Sequence, residues 1–239
     1  MIVLAIDTAT TDLVAGLVET GGRDGGELST LAENVVPTRS HNELLVPTVQ
    51  KLLTETGREF SDLGAVVVGC GPGPFTGLRV GMATASAFGQ ALGIPVHGVC
   101  THDAVAALID SETETDSALV VTDARRREVY WAQYRGGDRV AGPDVVAPAA
   151  LRLSEGATSV GVLSVPENLR DQLSVAADTV TYVAPRVAGL VAVADLAATP
   201  EPLVPLYLRR PDAKEPAPKP KSPAIPDIAG IAVDGVKGE

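Results

Sequence analysis

Gly71-Pro72-Gly73-Pro74-Phe75-Thr76-Gly77 is the stretch of this chain nearest in type to a phosphate-binding loop. It follows the apolar run Val66-Val67-Val68 and opens a helical pattern, the setting in which backbone N–H groups gather around an anion. Two features argue against that chemistry. The loop carries no lysine to reach a phosphate, and Pro72 and Pro74 remove two of its N–H donors. The prolines instead make the corner stiff, while the glycines supply dihedrals that other residues avoid. Beyond it, from Thr76 to Leu92, a four-residue step lands on Gly77, Gly81, Ala85 and Gly89. One stripe of that helix is nearly bare backbone, so another helix, within the same lobe or on another subunit, could approach it closely.

Two aspartates stand at the ends of apolar strands. Ile2 to Ile6 runs into Asp7-Thr8-Ala9-Thr10-Thr11-Asp12 and then a second strand, Leu13 to Val18. Ala118 to Thr122 runs into Asp123 and Ala124-Arg125-Arg126-Arg127-Glu128, followed by a strand from Val129 to Tyr134. Asp7 precedes Val14 by the interval that separates Asp123 from Tyr130. Two copies of a strand-Asp-turn-strand unit predict a duplicated α/β protein. Asp7 then has two readings: a contact for nucleotide phosphate or metal, or an Asx-turn that pins the hairpin.

The remaining elements must position these turns. A third strand is expected at Leu31 to Val36. Ser40 with Glu43 reads as a capping box for a helix whose apolar side is Leu45, Val49, Leu52 and Leu53, which Pro47 should kink and Gly57 should end. Ile94 to Val99 and Ser159 to Leu163 read as strands. Ala149 to Leu153 and Pro166 to Leu173 read as short helices, and Val187 to Ala198 as an apolar helix. Leu203 to Arg210 is an extended exit. Residues 1–103 and 104–211 are expected as two α/β lobes. Prolines at 211, 216, 218, 220, 223 and 226, interleaved with lysines, make 212–239 a Pro/Lys-rich flexible tail.

Composition narrows the function classes. A length of 239 residues with 45% hydrophobic content supports a full core. The net charge of −11 is a poor footprint for independent binding to a phosphodiester backbone, so any nucleic acid is expected to be held with a partner. Cys70 and Cys100 fit neither a disulfide framework nor a thiolate metal site, which suits a reducing cytoplasm. The start has no basic region and meets Asp7 early, and no run of about 18 apolar residues occurs. A soluble cytoplasmic protein with no membrane partner is expected.

IVLAIDTAT at the start, SHNELL at 40–45, GPGPFTGLRVG at 71–81, DARRREVYWAQY at 123–134 and PLYLRRPDA at 205–213 together resemble the TsaB family. The resemblance covers nearly everything from Met1 to Ala213. It implies an α/β fold of the actin-like, sugar-kinase-like (ASKHA) type with two duplicated lobes. It also implies a noncatalytic scaffold and dimerisation subunit. Such proteins pair with TsaD, which moves a threonylcarbamoyl group to N6 of the anticodon-adjacent adenosine of tRNA, and the ATPase TsaE joins them. The subunit interface in that family is a helical pair, which here would draw on Leu45, Val49, Leu52, Gly77, Arg79, Gly81, Ala85 and Gly89, and could also support a homodimer.

The resemblance can be questioned residue by residue. A catalytic relative carries two metal-binding histidines spaced H-x-x-x-H, whereas His102 has Gly98 four before it and Ala106 four after. No metal and no catalytic residue are therefore expected, which also sets aside a metallopeptidase. The alternative is a small-molecule kinase of the same fold. Asp7 with Thr8 preserves the look of its first phosphate turn and is retained as a vestigial nucleotide site. The arginines after Asp123 replace the small residues a second phosphate loop needs, and a late paired-glycine adenosine turn is missing. No cofactor of its own is expected, with ATP or ADP at the partner interface left open.

Overall fold

The strongest apolar run in the chain sits at the centre of the first sheet. The computed structural model describes residues 1–21, 26–154 and 156–209, and the expected tail lies outside the described residues. All six residues of β1 (Ile2–Asp7) are buried, as a strand covered on both faces must be. It pairs antiparallel with β2 (Asp12–Thr20), which pairs antiparallel with β3 (Leu28–Pro37). On its other side β1 pairs parallel with β4 (Leu63–Gly69), and β4 with β5 (Val96–Val99). The order is β3-β2-β1-β4-β5.

The second sheet repeats the plan. β6 (Ser117–Asp123) pairs antiparallel with β7 (Val129–Arg135), and β7 with β8 (Asp138–Val146); β6 pairs parallel with β9 (Ser159–Ser164), and β9 with β10 (Ala176–Thr181). Strand order and direction match those of the first sheet. This is the duplicated actin-like, sugar-kinase-like architecture. One detail differs from the spacing argument: Asp7 pairs with Val14, but Asp123 pairs with Val129, so the second turn is one residue tighter.

Helices cover the faces. α1 (His41–Thr56) and α2 (Phe75–Leu92) pack Leu45, Val49, Leu52 and Leu78 against Leu4, Ile6, Leu13 and Val66. The opposite face, with Val3, Val14 and Val67, takes Leu190 and Val191 of α5 (Val187–Ala192) and Ala104 of α3 (Thr101–Glu112). α3 also turns Val105, Ala106 and Ile109 onto Val120, Ala132 and Val162 of the second sheet. It is shared by both sheets, and the expected lobe boundary at 103/104 falls inside it. The second sheet's other face packs Leu119, Val121 and Val129 against Leu151 and Leu169, the latter from α4 (Glu167–Arg170).

Several local expectations change. Ser40 makes no side-chain cap bond, so the expected capping box is absent; its N–H donates to Thr38 Oγ1 at 2.9 Å. α1 runs on through Pro47, which lies on its exposed side, and ends at Gly57 in the left-handed conformation at φ 63°. Ala149–Leu153 holds only a single turn, Pro148–Ala150, and the apolar helix stops at Ala192 rather than Ala198. The exit segment folds back on the first lobe: Leu203 packs against its core, and Leu206 N–H donates to the Cys70 carbonyl at 2.9 Å.

Candidate functional site

Asp7 closes β1 in full burial, and both of its oxygens are engaged. Oδ1 accepts from Ala9 N–H and Oδ2 from Thr101 Oγ1, each at 2.7 Å. The first bond is the turn-pinning one; the second ties the start of α3 to β1. A side chain at Gly69 would collide with this carboxylate, so the glycine is what lets β4 pass it. Burial pushes the Asp7 pKa up from 3.8 to about 6, against the lowering effect of its two hydrogen bonds. Thr8 is also fully buried, and its Oγ1 donates to the Gly77 carbonyl at 2.8 Å. The residues expected as a vestigial nucleotide site thus spend their polar atoms on the protein itself.

The glycines of α2 explain that close fit. A Cβ at Gly77 would meet the Thr8 carbonyl, one at Gly81 the Thr8 hydroxyl, and one at Gly89 the Val96 side chain. The bare stripe therefore faces inward, seating α2 on the β1–β2 turn and on β5. This corrects most of the expected interface. Leu45, Val49, Leu52, Gly81, Ala85 and Gly89 are buried within the lobe and cannot meet another subunit; Gly77 is half-buried, and Arg79 is exposed. The outward faces carry Leu44 (37% exposed) and Val46 (38%) on α1, and Phe75 (48%), Ala83 and Ala87 on α2.

Arg79 is held by the exit segment. Its Nε donates to Tyr207 Oη at 2.9 Å and its guanidinium lies 3.7 Å from the centre of the Phe75 ring, which stacks on Tyr207 at 5.0 Å. Phe75 and Tyr207 were not among the expected site residues. Their signal was available: in a chain only 3% aromatic, each lies beside an arginine-bearing motif. Two residues on, Arg209 donates to the Ala124 carbonyl at 3.2 Å and pairs with Glu128, binding the exit to the β6–β7 turn.

That turn and the β1–β2 turn line one cleft of about 310 Å³, whose walls include Thr10, Thr11, Asp12, Asp123, Asn168 and Tyr182. Asp123 repeats the Asp7 bond, accepting Arg125 N–H at 2.7 Å, but it is only half-buried. The middle of the β6–β7 turn is left-handed: Arg125, Arg126 and Arg127 have φ of 63°, 54° and 65°.

His102 lies in the core. Its Nε2 is 2.9 Å from Thr122 Oγ1, Nδ1 has no partner, and burial drives its pKa down to about 3. It is a neutral imidazole packed between α3 and β6. Burial likewise pushes the thiols of Cys70 and Cys100 up to about 11 and about 12, so neither is a poised nucleophile. Tyr134 Oη donates to Asp103 Oδ1 at 2.7 Å, and Arg139 pairs with the same oxygen at 3.2 Å. Among the described residues no group of three His, Cys, Asp or Glu could hold a metal, and no helix is long and apolar enough to cross a membrane.

Comparison with known proteins places this geometry. Residues 30–213 match the family model described as TsaD: tRNA N6-adenosine threonylcarbamoyltransferase. An uncharacterized protein of Mycobacterium tuberculosis H37Rv is 50% identical over 213 residues, covering 89% of this chain and 93% of the relative. An uncharacterized protein of Mycobacterium leprae is 51% identical over 215 residues, but the chain spans only 56% of its length. The Escherichia coli K12 tRNA threonylcarbamoyladenosine biosynthesis protein TsaB is 34% identical over 135 residues, 56% of this chain and 55% of that protein. Among solved structures, YeaZ from Pseudomonas aeruginosa superposes with a TM-score of 0.66 at 24% identity, over 84% of this chain and 99% of that one, which establishes the shared fold.

Proposed function

This chain belongs to the TsaD family, among its TsaB members, and from that premise we propose that it is a noncatalytic partner subunit in making threonylcarbamoyladenosine in tRNA. In this reading it supports TsaD while TsaD transfers the threonylcarbamoyl group to N6 of the anticodon-adjacent adenosine, in the cytoplasm and with TsaE joining the pair. The observation that carries the reading is how its candidate chemical groups are used. The Asp7 carboxylate holds Ala9 and Thr101, and the His102 imidazole is buried against Thr122. Groups committed to packing favour a scaffold over a catalyst.

The docking surface we propose is the outward face of α1 and α2. Ala83 and Ala87, one turn apart on α2, give it a small apolar, low-relief patch, and Arg79, steadied by Phe75 and Tyr207, supplies a fixed cation at its edge. A homodimer through the same face, and ATP or ADP at the partner interface, are parts of the same proposal.

Mixing the purified chain with its cognate TsaD is expected to give a discrete heteromer by light scattering, and to restore a modification that neither protein achieves alone. A chain that stays monomeric beside TsaD would sink the reading. Calorimetry with ATP separates the kinase alternative, which requires tight binding and phosphoryl transfer by the isolated chain.

A further inference from the structure

A second cavity, of about 200 Å³, adjoins the interlobe cleft where the β1–β2 turn meets the starts of α1 and α2. Its lining is one-sided. Arg39, Arg125, Thr10, Thr38, Thr76 and Asn42 are among the residues that line it, and no Asp or Glu is. In a chain of net charge −11 this is a locally inverted composition. Neither helix start is closed by its own side chain, because Ser40 and Pro74 make no side-chain cap bond. The N-terminal, positive ends of two helix dipoles therefore border the same space.

The rim adds to this. Among the described residues no carboxylate forms an ion pair with Arg39, Arg125 or Arg127. On the arginine turn itself Glu128 pairs with Arg209 and Asp123 Oδ1 accepts Arg125 N–H, while Asp12 and Asp123 line the adjoining cleft rather than this one. Arg125, Arg126 and Arg127 are exposed on a turn whose left-handed backbone glycine would adopt at lower cost, yet all three positions are arginine. Exposed cationic side chains on one turn, beside a threonine-lined groove, suit a chain of phosphate oxyanions.

We propose that this groove and its arginine rim form a track for the phosphodiester backbone of RNA, with Arg39 and Arg125 on one phosphate and Arg127 on a neighbouring one. The inference rests on the tRNA-modification reading and deepens it: this chain touches the RNA directly instead of only holding the catalyst. The phosphates of a mononucleotide share the chemistry, and the experiment separates the two.

The test is fluorescence anisotropy of a labelled RNA stem–loop titrated with the full chain alone, over a series of KCl concentrations. The expected Kd is on the order of 10⁻⁵ M at low salt, weakening steeply as salt rises. Because glycine suits the left-handed positions, R125G/R127G should melt no lower than the parent, so a loss of binding cannot be ascribed to misfolding. It should bind RNA at least about fivefold more weakly, with a log–log salt slope shallower by about 2. R39Q should weaken binding as well. Unchanged affinity in R125G/R127G overturns the proposal, as does a parent chain that binds no RNA. Displacement of the RNA by equimolar ADP also overturns it, assigning the groove to a mononucleotide. Failure to pair with TsaD would count against the scaffold reading alone, since the titration contains no TsaD.

Discussion

At the scale of single residues, two buried titratable groups pull stability in opposite directions over one pH window. The Asp7 pKa is raised from 3.8 to about 6, so the folded state holds its proton more tightly than the unfolded state. Its contribution is full below pH 3.8 and is lost as pH rises through about 6, a difference of about 3 kcal/mol. The His102 pKa is lowered from 6.5 to about 3, so its contribution is full above pH 6.5 and drains away as pH falls toward 3. Between pH 4 and 6 the two slopes largely cancel. Asp7→Asn keeps an oxygen for Ala9 N–H and places an amide donor beside the Thr101 hydroxyl, while removing the ionisation. Urea melts should therefore find it at least as stable as the parent at pH 8, but losing stability steeply from pH 6.5 down to 4. His102→Gln should show the reverse slope, gaining stability over the same interval as Asp7 takes up its proton. Parallel pH profiles for the two variants would refute this assignment of opposing groups.

At the scale of elements, α2 divides into an inner and an outer face that make different demands. Gly77 meets the Thr8 carbonyl, a backbone atom that cannot rotate away. Alanine would gain about 1 kcal/mol of helix propensity there, but the collision should lift α2 off the β1–β2 turn. We expect Gly77→Ala to destabilise the protein by about 2 kcal/mol net. Ala83→Arg, on the outer face, should change stability by no more than about 0.5 kcal/mol and yet block the heteromer with TsaD. Denaturant melts paired with light scattering check both arms; a heteromer untouched by Ala83→Arg would move the interface elsewhere. The same helix shows what could be read from the chain. Continuous apolar runs marked β1, β4 and β6, and the repeated Asp turn marked the duplication. A stripe of small residues reads alike whether it faces its own sheet or another subunit. Leu78 and Met82, large and apolar beside that stripe, carried the sign of its inward direction. β8 escaped because Gly142-Pro143 interrupts it, and β10 because its residues are mostly exposed and lack an apolar run. The Arg39 and Arg125 groove joins residues far apart in sequence, so only the folded turns bring them to one place.

At the scale of the whole molecule, α3 makes the two sheets one cooperative body. Ala104 packs under the first sheet, while Val105, Ala106 and Ile109 pack on the second, so neither sheet can open without exposing part of the same helix. The exit segment ties them again, with Leu203 against the first core and Arg209 on Glu128 and the Ala124 carbonyl of the second lobe. The chain has one tryptophan, Trp131, and it lies in β7 of the second sheet. Its fluorescence reports that sheet, whereas far-UV circular dichroism reports both. Leu13→Ala removes a fully buried side chain from the first sheet's core and should cost about 3 kcal/mol. If the lobes were independent, Trp131 would keep its parental midpoint while circular dichroism split into two steps. With α3 shared, the Trp131 midpoint in urea should fall together with the circular dichroism midpoint, as a single transition. A fixed pair of lobes is also what the proposed RNA groove needs: Arg39 stands on the first lobe and Arg125 on the second, and the two keep the spacing of one phosphate only if the lobes hold together as one body.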